Sequence, residues 1–128
     1  MTAIRPAGCS VFLVEDEVMI RMMVADMLEE LGHSVAAEAG EIGEAVKLAQ
    51  STEFDLAILD GEATPVGGMG IAKQLKDEID DCPPILVLTG RPDDAWLARW
   101  SRAEAAVPHP IDPIRLGDAV VSLLRPAI

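Results

Sequence analysis

Three apolar runs in this chain end in side chains that could take part in metal and phosphate chemistry. The first run ends in the acids Glu15 and Asp16, the second in Asp60, and the third in the hydroxyl of Thr89. Each run is short and free of internal charge, which predicts a strand buried on both faces of a parallel sheet. Because the functional crevice of such a sheet lies at the carboxyl ends of its strands, we expect these side chains to converge. Together they could hold a divalent cation and present one carboxylate for chemistry.

The elements that position these residues alternate between strand and helix patterns. The predicted strands are Ser10–Val14, Ser34–Ala37, Phe54–Leu59, Ile85–Thr89 and Ala105–Val107, and the predicted helices are Val18–Leu31, Glu41–Gln50, Ile71–Glu78, Asp93–Trp100 and Ile114–Leu124. Right-handed crossovers between these units predict an α/β fold with a single doubly wound, five-stranded parallel sheet in the order 2-1-3-4-5 and helices on both faces. The glycine-rich segment 67–70 is expected to be a flexible loop, and it lacks the lysine of a phosphate-binding loop.

The first predicted helix contains four of the six methionines of the chain. Apolar residues at helical spacing predict one inward face, made of Ile20, Met23, Val24, Met27, Leu28 and Leu31. We interpret the methionines as adaptable core packing. Gly32 is expected to end this helix in a left-handed conformation, and Asp112 to cap the last helix.

Composition restricts the classes of partner. The chain has 128 residues, half of them hydrophobic, and a formal net charge of −12, which predicts one domain with a real core and a surface that repels nucleic acid and anionic lipid. We therefore expect no direct nucleic acid binding and no membrane association. No apolar run approaches the length of a membrane span or a signal-peptide core, and the two cysteines form no CxxC motif, so a cytoplasmic protein with reduced thiols is expected.

The motifs resemble those of the receiver domain of two-component response regulators, from Ser10 to Leu124. The acid pair follows the first strand, Asp60 the third, and Thr89-Gly90 the fourth, with 44 residues from Asp16 to Asp60, 29 from Asp60 to Thr89 and 20 from Thr89 to His109. No single motif is rare, but their order on these strands makes the match specific. The resemblance implies a flavodoxin-like receiver domain at residues 10–125 after an N-terminal tail at residues 1–9, either as a single-domain regulator or as part of a longer protein.

The resemblance also implies a mechanism. Asp60 accepts a phosphoryl group from a histidine kinase or phosphotransfer protein, and the domain then switches a surface for a downstream protein effector. Asp16 and Asp60 bind Mg²⁺, with Glu15 acting through water and the backbone carbonyl of Glu62 as a further ligand, while Thr89 donates its hydroxyl to a phosphoryl oxygen. Such a domain is not an enzyme beyond promoting its own phosphorylation and dephosphorylation. A homodimer is left open.

Three positions depart from the family pattern. His109 occupies the place of a lysine before proline, Ala106 the place of an aromatic residue in the fifth strand, and the segment 61–65 lacks the usual Met-Pro. A histidine is shorter than lysine and has a reference pKa of about 6.5, so one hypothesis is a weakened or pH-sensitive phosphate contact by His109. The other is a pseudo-receiver, an interaction module with the same fold that is not phosphorylated.

The segment after Asp60 suggests a second alternative. Asp60-Gly61-Glu62-Ala63-Thr64 is close to the DxDxT signature of haloacid dehalogenase-like phosphatases, in which Asp60 would be the nucleophile and Glu62 the acid-base residue. The glutamate in place of the second aspartate, the position of the motif after the third strand and the short chain all argue against this class of enzyme.

Two charged residues are candidates for modulating the site. Glu62 lies two residues beyond Asp60 and Arg91 two beyond Thr89, on segments that leave neighbouring strands at the same edge. We hypothesise that the two side chains meet over the site as a partly exposed ion pair that screens it from attacking water. Such a pair adds only about 0–1 kcal/mol to stability.

Overall fold

Strands and helices alternate throughout the residues that the computed structural model describes, 8–40, 42–60, 67–90 and 102–124. The strands are β1 (Ser10–Val14), β2 (Ser34–Ala39), β3 (Leu56–Asp60), β4 (Ile85–Thr89) and β5 (Ala105–Pro108). The helices within these ranges are α1 (Val18–Glu30), α2 (Ile42–Ser51), α3 (Gly67–Glu78) and α4 (Pro113–Leu124). The helix predicted over Asp93–Trp100 lies outside the described residues.

The five strands form one sheet in the order β2-β1-β3-β4-β5, and every neighbouring pair is parallel. The predicted order 2-1-3-4-5 is therefore confirmed. All residues of β3 and β4 are buried, as the uninterrupted apolar runs indicated, because helices cover both faces of a doubly wound sheet.

The sheet separates two hydrophobic cores. Successive residues of a strand point to opposite faces, so Ile58 packs with α1 and α4 while Leu59 packs with α2 and α3. On the first face the helices contribute Val24, Leu28, Leu116 and Val120, and on the second Ala45, Ala49, Ile71, Ala72 and Leu75. Neighbouring residues of β3 are thus held by different layers, and this fixes the end of the strand from both sides.

Two turn predictions are confirmed. Gly32 has a φ of 94°, the left-handed conformation that ends α1. At the start of α4 the backbone N–H of Ile114 donates to Asp112 Oδ1 at 2.9 Å, the expected side-chain cap.

The segment 67–70 is not the predicted flexible loop, because α3 begins at Gly67. The prediction relied on the low helix propensity of glycine. Backbone hydrogen bonds of a first turn need no side chain, and the buried residues Ile71, Ala72 and Leu75 hold the helix against the sheet. Tertiary packing therefore outweighs local propensity here.

The methionines of α1 are largely outside the core. Met19 is 74% exposed, Met22 57% and Met23 39%, while Val24 and Leu28 are fully buried. The interpretation of these three residues as core packing is wrong. Met19 and Met22 lie off the predicted inward face, and the exposure of Met23 shows that α1 rests on the sheet through a narrower stripe than the apolar pattern suggested. None of the helices in the described part of the chain has the length and hydropathy of a membrane-spanning segment.

Candidate functional site

The carboxyl ends of the strands surround one open cavity of about 550 Å³. The residues that line it are Glu15, Asp16, Glu17, Ile20, Asp60, Gly90 and His109. Parallel pairing brings the strand ends level, with Val14 opposite Leu59 and Asp60 opposite Leu88. The structure therefore brings the three predicted acids together at one edge of the sheet.

Asp60 is the last residue of β3, and its side chain is 3% exposed. Its Oδ2 lies 3.0 Å from Nε2 of His109, whose side chain is 22% exposed. The imidazole therefore contacts the carboxylate directly, and it reaches the cavity from the loop that follows β5. A protonated imidazole in this position forms a salt bridge, and a neutral one with hydrogen on Nε2 donates a hydrogen bond.

Thr89 is the last residue of β4 and is buried, with 1% exposure. Its backbone carbonyl accepts a hydrogen bond of 2.8 Å from the N–H of His109. Its neighbour Gly90 lines the cavity. The end of β4 is thereby joined to the residue that contacts Asp60.

Glu15 is the most constrained acid of the site. It is 1% exposed, and its Oε1 accepts a hydrogen bond of 2.9 Å from the backbone N–H of Glu17. Its Oε2 is buried without a hydrogen-bond partner among the described residues. Burial, followed by hydrogen bonding and charge repulsion from Asp60, raises the pKa of Glu15 to about 8, against a lowering by the Glu17 amide.

The acids are close enough to make their charges costly. Two carboxylates about 5 Å apart repel by roughly 3 kcal/mol at an effective dielectric of about 20. The raised pKa of Glu15 is consistent with this repulsion, since a proton on Glu15 removes one of the charges and can be shared with Asp60. The arrangement favours either a bound proton or a bound cation.

The donor set fits a hard divalent cation. Its side chains offer carboxylate oxygens, including the buried Oε2 of Glu15, which accepts no hydrogen bond from the described part of the chain. Within residues 8–40, 42–60, 67–90 and 102–124, no three His, Cys, Asp or Glu side chains are arranged to hold a metal ion by themselves. Mg²⁺ suits such an incomplete set, because it commonly takes one or two carboxylates and keeps several waters.

Two residues near the acids were missed from the sequence. Glu17 lines the cavity and donates its backbone N–H to Glu15. Arg21, one turn into α1, donates from Nη1 to the backbone carbonyl of Glu15 at 2.9 Å. The acidic run pointed to Glu17, whereas no sequence pattern distinguished Arg21 from a solvated helix residue.

Glu62 and Arg91 lie outside the described residues. The predicted carbonyl ligand and the predicted ion pair between them therefore stay predictions. The same holds for the conformation of the segment 61–65 that follows Asp60.

The sequence model of one protein family, described as the response regulator receiver domain, matches residues 11–120. A response regulatory protein of Mycobacterium tuberculosis strain H37Rv is 84% identical over 72 residues, which are 56% of this chain and 54% of that protein. The transcriptional regulatory protein PdtaR of the same strain is 32% identical over 113 residues, which are 88% of this chain and 54% of PdtaR. The chain thus spans about half the length of these curated relatives.

Solved structures share the fold. The response regulator TrrA of Thermotoga maritima, whose structure is described as a complex with Mg²⁺ and BeF, superposes with a TM-score of 0.79 at 28% identity. The superposition covers 90% of this chain and 98% of TrrA. The strand order and the layers of helices are therefore those of an established structural family.

Proposed function

The chain belongs to the response regulator receiver family of two-component systems, and on this premise we propose that it accepts a phosphoryl group on Asp60 and thereby switches a protein-interaction surface. The observation that carries the proposal is the position of Asp60, at the end of the central strand β3, beside two further acids and 3.0 Å from His109. The donor is a histidine kinase or phosphotransfer protein, and the recipient of the signal is a downstream protein effector. The receiver unit comprises residues 10–125, after a tail at residues 1–9.

In the proposed reaction an oxygen of Asp60 attacks the phosphorus of a phosphohistidine. The new O–P bond forms as the N–P bond to the donor imidazole breaks, and the released imidazole nitrogen takes up a proton. Asp16 and Asp60 would hold Mg²⁺, with Glu15 acting through water and the Glu62 carbonyl as a further ligand. Mg²⁺ held there would neutralise charge on the phosphoryl oxygens during in-line transfer. After transfer Thr89 donates its hydroxyl to a phosphoryl oxygen, and His109 turns from Asp60 to the phosphoryl group.

The direct test is the intact mass of the protein after incubation with acetyl phosphate and Mg²⁺. A gain of one phosphoryl group that is absent without Mg²⁺ supports the proposal. An unchanged mass under all conditions supports the second candidate, a non-phosphorylated pseudo-receiver. Two observations favour that candidate. The imidazole of His109 already contacts the Asp60 carboxylate that would be phosphorylated, and Ala106 on β5 offers no aromatic side chain that could move on activation.

The phosphatase alternative has less support. The family match extends over residues 11–120, and Asp60 follows the third strand in sequence. Turnover of a generic phosphate ester would count in favour of a phosphatase.

Millimolar Mg²⁺ is expected to raise the melting temperature of the protein. A ligand that binds only the folded state stabilises it by about 2.7 kcal/mol at a hundredfold excess over its Kd. Asp16→Ala should abolish the shift because it removes a carboxylate ligand, whereas the exposed acid Asp80, remote from the cavity, provides a matched control as Asp80→Ala. A wild-type melting temperature that does not respond to Mg²⁺ at constant ionic strength would eliminate the metal site.

His109→Lys is expected to strengthen the conformational response to phosphorylation, and His109→Ala to weaken it. Lysine carries a permanent charge on a longer stem, so it can follow the phosphoryl group further than imidazole can. The measurement is the change in chemical shift of the Thr89 amide when beryllofluoride and Mg²⁺ are added to each protein. Equal changes in all three proteins would show that residue 109 takes no part in switching.

A further inference from the structure

Arg21 reaches from α1 to two other parts of the structure. Its Nη1 donates to the backbone carbonyl of Glu15 at 2.9 Å, and its Nε lies 3.4 Å from Oε1 of Glu38 on β2. The side chain of Arg21 is 22% exposed and that of Glu38 44%. One guanidinium group thus ties the start of the acidic loop to the end of a neighbouring strand.

Gly40 makes room for this arrangement. A Cβ atom built on Gly40 would lie 2.4 Å from Nη1 of Arg21, closer than two such atoms can approach. The φ angle of Gly40 is not in the left-handed region, which among the described glycines only Gly32 occupies. A side chain at position 40 would therefore displace the end of the Arg21 side chain, although the backbone conformation there does not itself call for glycine.

The backbone of Glu15 is held on both sides as a result. Its N–H donates to the carbonyl of Ala39 at 3.0 Å, and its carbonyl accepts from Arg21. The chain that carries Glu15 and Asp16 into the cavity is therefore fixed against the end of β2. Without Arg21, the Glu15 carbonyl loses this side-chain donor, and the path of the next residue, Asp16, is less constrained.

We propose that Arg21, Glu38 and Gly40 form an arginine clamp whose role is to position the Glu15-Asp16 backbone for Mg²⁺. The inference rests on the proposed function, because it concerns the same cation site. Arg21 touches neither the cation nor the phosphoryl group; it is a positioning residue that acts through the Glu15 carbonyl. Groups that orient ligands in this way commonly change metal affinity by about 10–100-fold when removed.

The positive charge of Arg21 and its hydrogen bond to the Glu15 carbonyl have opposite effects on Mg²⁺ affinity. A guanidinium group close to the acids repels an incoming cation, so removing its charge alone would strengthen Mg²⁺ binding. Removing the clamp would weaken binding. The sign of the change in Mg²⁺ affinity therefore distinguishes a positioning role from a purely electrostatic one.

The experiment is a double-mutant cycle on the full chain, with the Mg²⁺ dissociation constant measured by calorimetry. Arg21→Ala is expected to weaken binding by about tenfold or more. Gly40→Ala is expected to weaken it in the same direction, because the new methyl group displaces Nη1 while every charge is kept. The double variant should bind no more weakly than Arg21→Ala alone, because the added methyl group then meets no guanidinium.

Gly117→Ala is the matched control. A Cβ at Gly117, on α4, would meet Leu31 at 3.4 Å, an ordinary contact, so this variant tests the general effect of glycine replacement. Urea unfolding of each variant without Mg²⁺ checks that the fold is retained. Arg21→Lys should recover part of the affinity, since an ammonium group can donate to the carbonyl but cannot also match the carboxylate with a planar fork.

Three results would overturn the clamp. They are unchanged or tighter Mg²⁺ binding by Arg21→Ala, wild-type affinity in Gly40→Ala, and a double variant that loses the sum of the two single effects. Failure of the wild-type protein to bind Mg²⁺ is a different result, because it would overturn the metal site itself and with it the function of the clamp.

Discussion

Asp60→Asn is expected to abolish phosphoryl transfer completely and to stabilise the metal-free protein. The amide has no nucleophilic oxygen equivalent to the carboxylate, so acetyl phosphate should add no mass to this variant. The variant also removes one of the buried charges beside Glu15. We expect the free energy of unfolding to rise by about 1–3 kcal/mol under conditions in which Glu15 is ionised.

The pH at which the stability of this variant is measured matters. Asp60 is one of the groups that raise the pKa of Glu15 to about 8, so near pH 6 wild-type Glu15 holds a proton and the repulsion is already relieved. The stabilising effect of Asp60→Asn should therefore be larger at pH 9 than at pH 6. Urea unfolding at the two pH values, without Mg²⁺, measures it.

Asp80→Asn is the control for this experiment, since Asp80 is exposed and remote from the cavity. It should be phosphorylated like the wild type and show little change in stability. Full phosphorylation of Asp60→Asn would mean that another residue is the acceptor. A loss of stability in Asp60→Asn at pH 9 would mean that the contact with His109 outweighs repulsion between the acids.

The second large effect is a fall in the stability of the metal-free protein between pH 5 and pH 8. The pKa of Glu15 is about 8 in the folded protein and 4.5 when unperturbed. Between these values the folded state binds one more proton than the unfolded state. The stability that protonated Glu15 contributes is therefore fully present below its unfolded pKa of 4.5. As the pH rises from there to the folded pKa of about 8, this contribution is lost by about 1.4 kcal/mol per pH unit.

Glu15→Gln isolates this contribution, because glutamine keeps the shape of the side chain and has no proton to lose. The difference in the free energy of unfolding between wild type and Glu15→Gln should grow with pH up to about 8 and then level off. The exposed residue Glu53 provides a matched control as Glu53→Gln. Parallel pH profiles for wild type and Glu15→Gln would show that Glu15 does not hold the proton.

Mg²⁺ should flatten the wild-type profile. The cation requires the ionised carboxylate and so competes with the proton. Its binding should therefore be weaker at pH 6 than at pH 8. Urea unfolding of the wild type across the same pH range, at saturating Mg²⁺, checks whether the profile becomes flatter.

The convergence of Glu15, Asp16 and Asp60 could be predicted from the sequence because it depends on only two general properties. Uninterrupted apolar runs indicate buried parallel strands, and parallel strands end at a common edge. The strand order was predicted on a different ground, the right-handed crossovers between alternating strands and helices. The position of His109 relied on resemblance to a family, since no local pattern states that the loop after β5 returns to β3.

The features that could not be predicted depend on contacts between distant elements. In the sequence, Arg21 is one charged residue among several on a helix. Its contact with the Glu15 carbonyl, beside the space left by Gly40, is seen only in the structure. Met23 belonged to the predicted inward face of α1 but is 39% exposed, because the angle at which α1 lies on the sheet decides which apolar residues are buried. Helix spacing alone does not contain that angle.

The all-parallel sheet also determines when during folding the acidic cavity can exist. A parallel pair cannot close through a hairpin, because its crossover needs a dozen or more residues. Each of the four pairings here therefore closes a long loop, so we expect the chain to fold more slowly than a helical bundle of its size. Glu15 follows β1 and Asp60 ends β3, so the two carboxylates stay apart and hydrated until these strands pair. The electrostatic repulsion between the two carboxylates therefore opposes the pairing of β1 with β3 and no earlier step of folding.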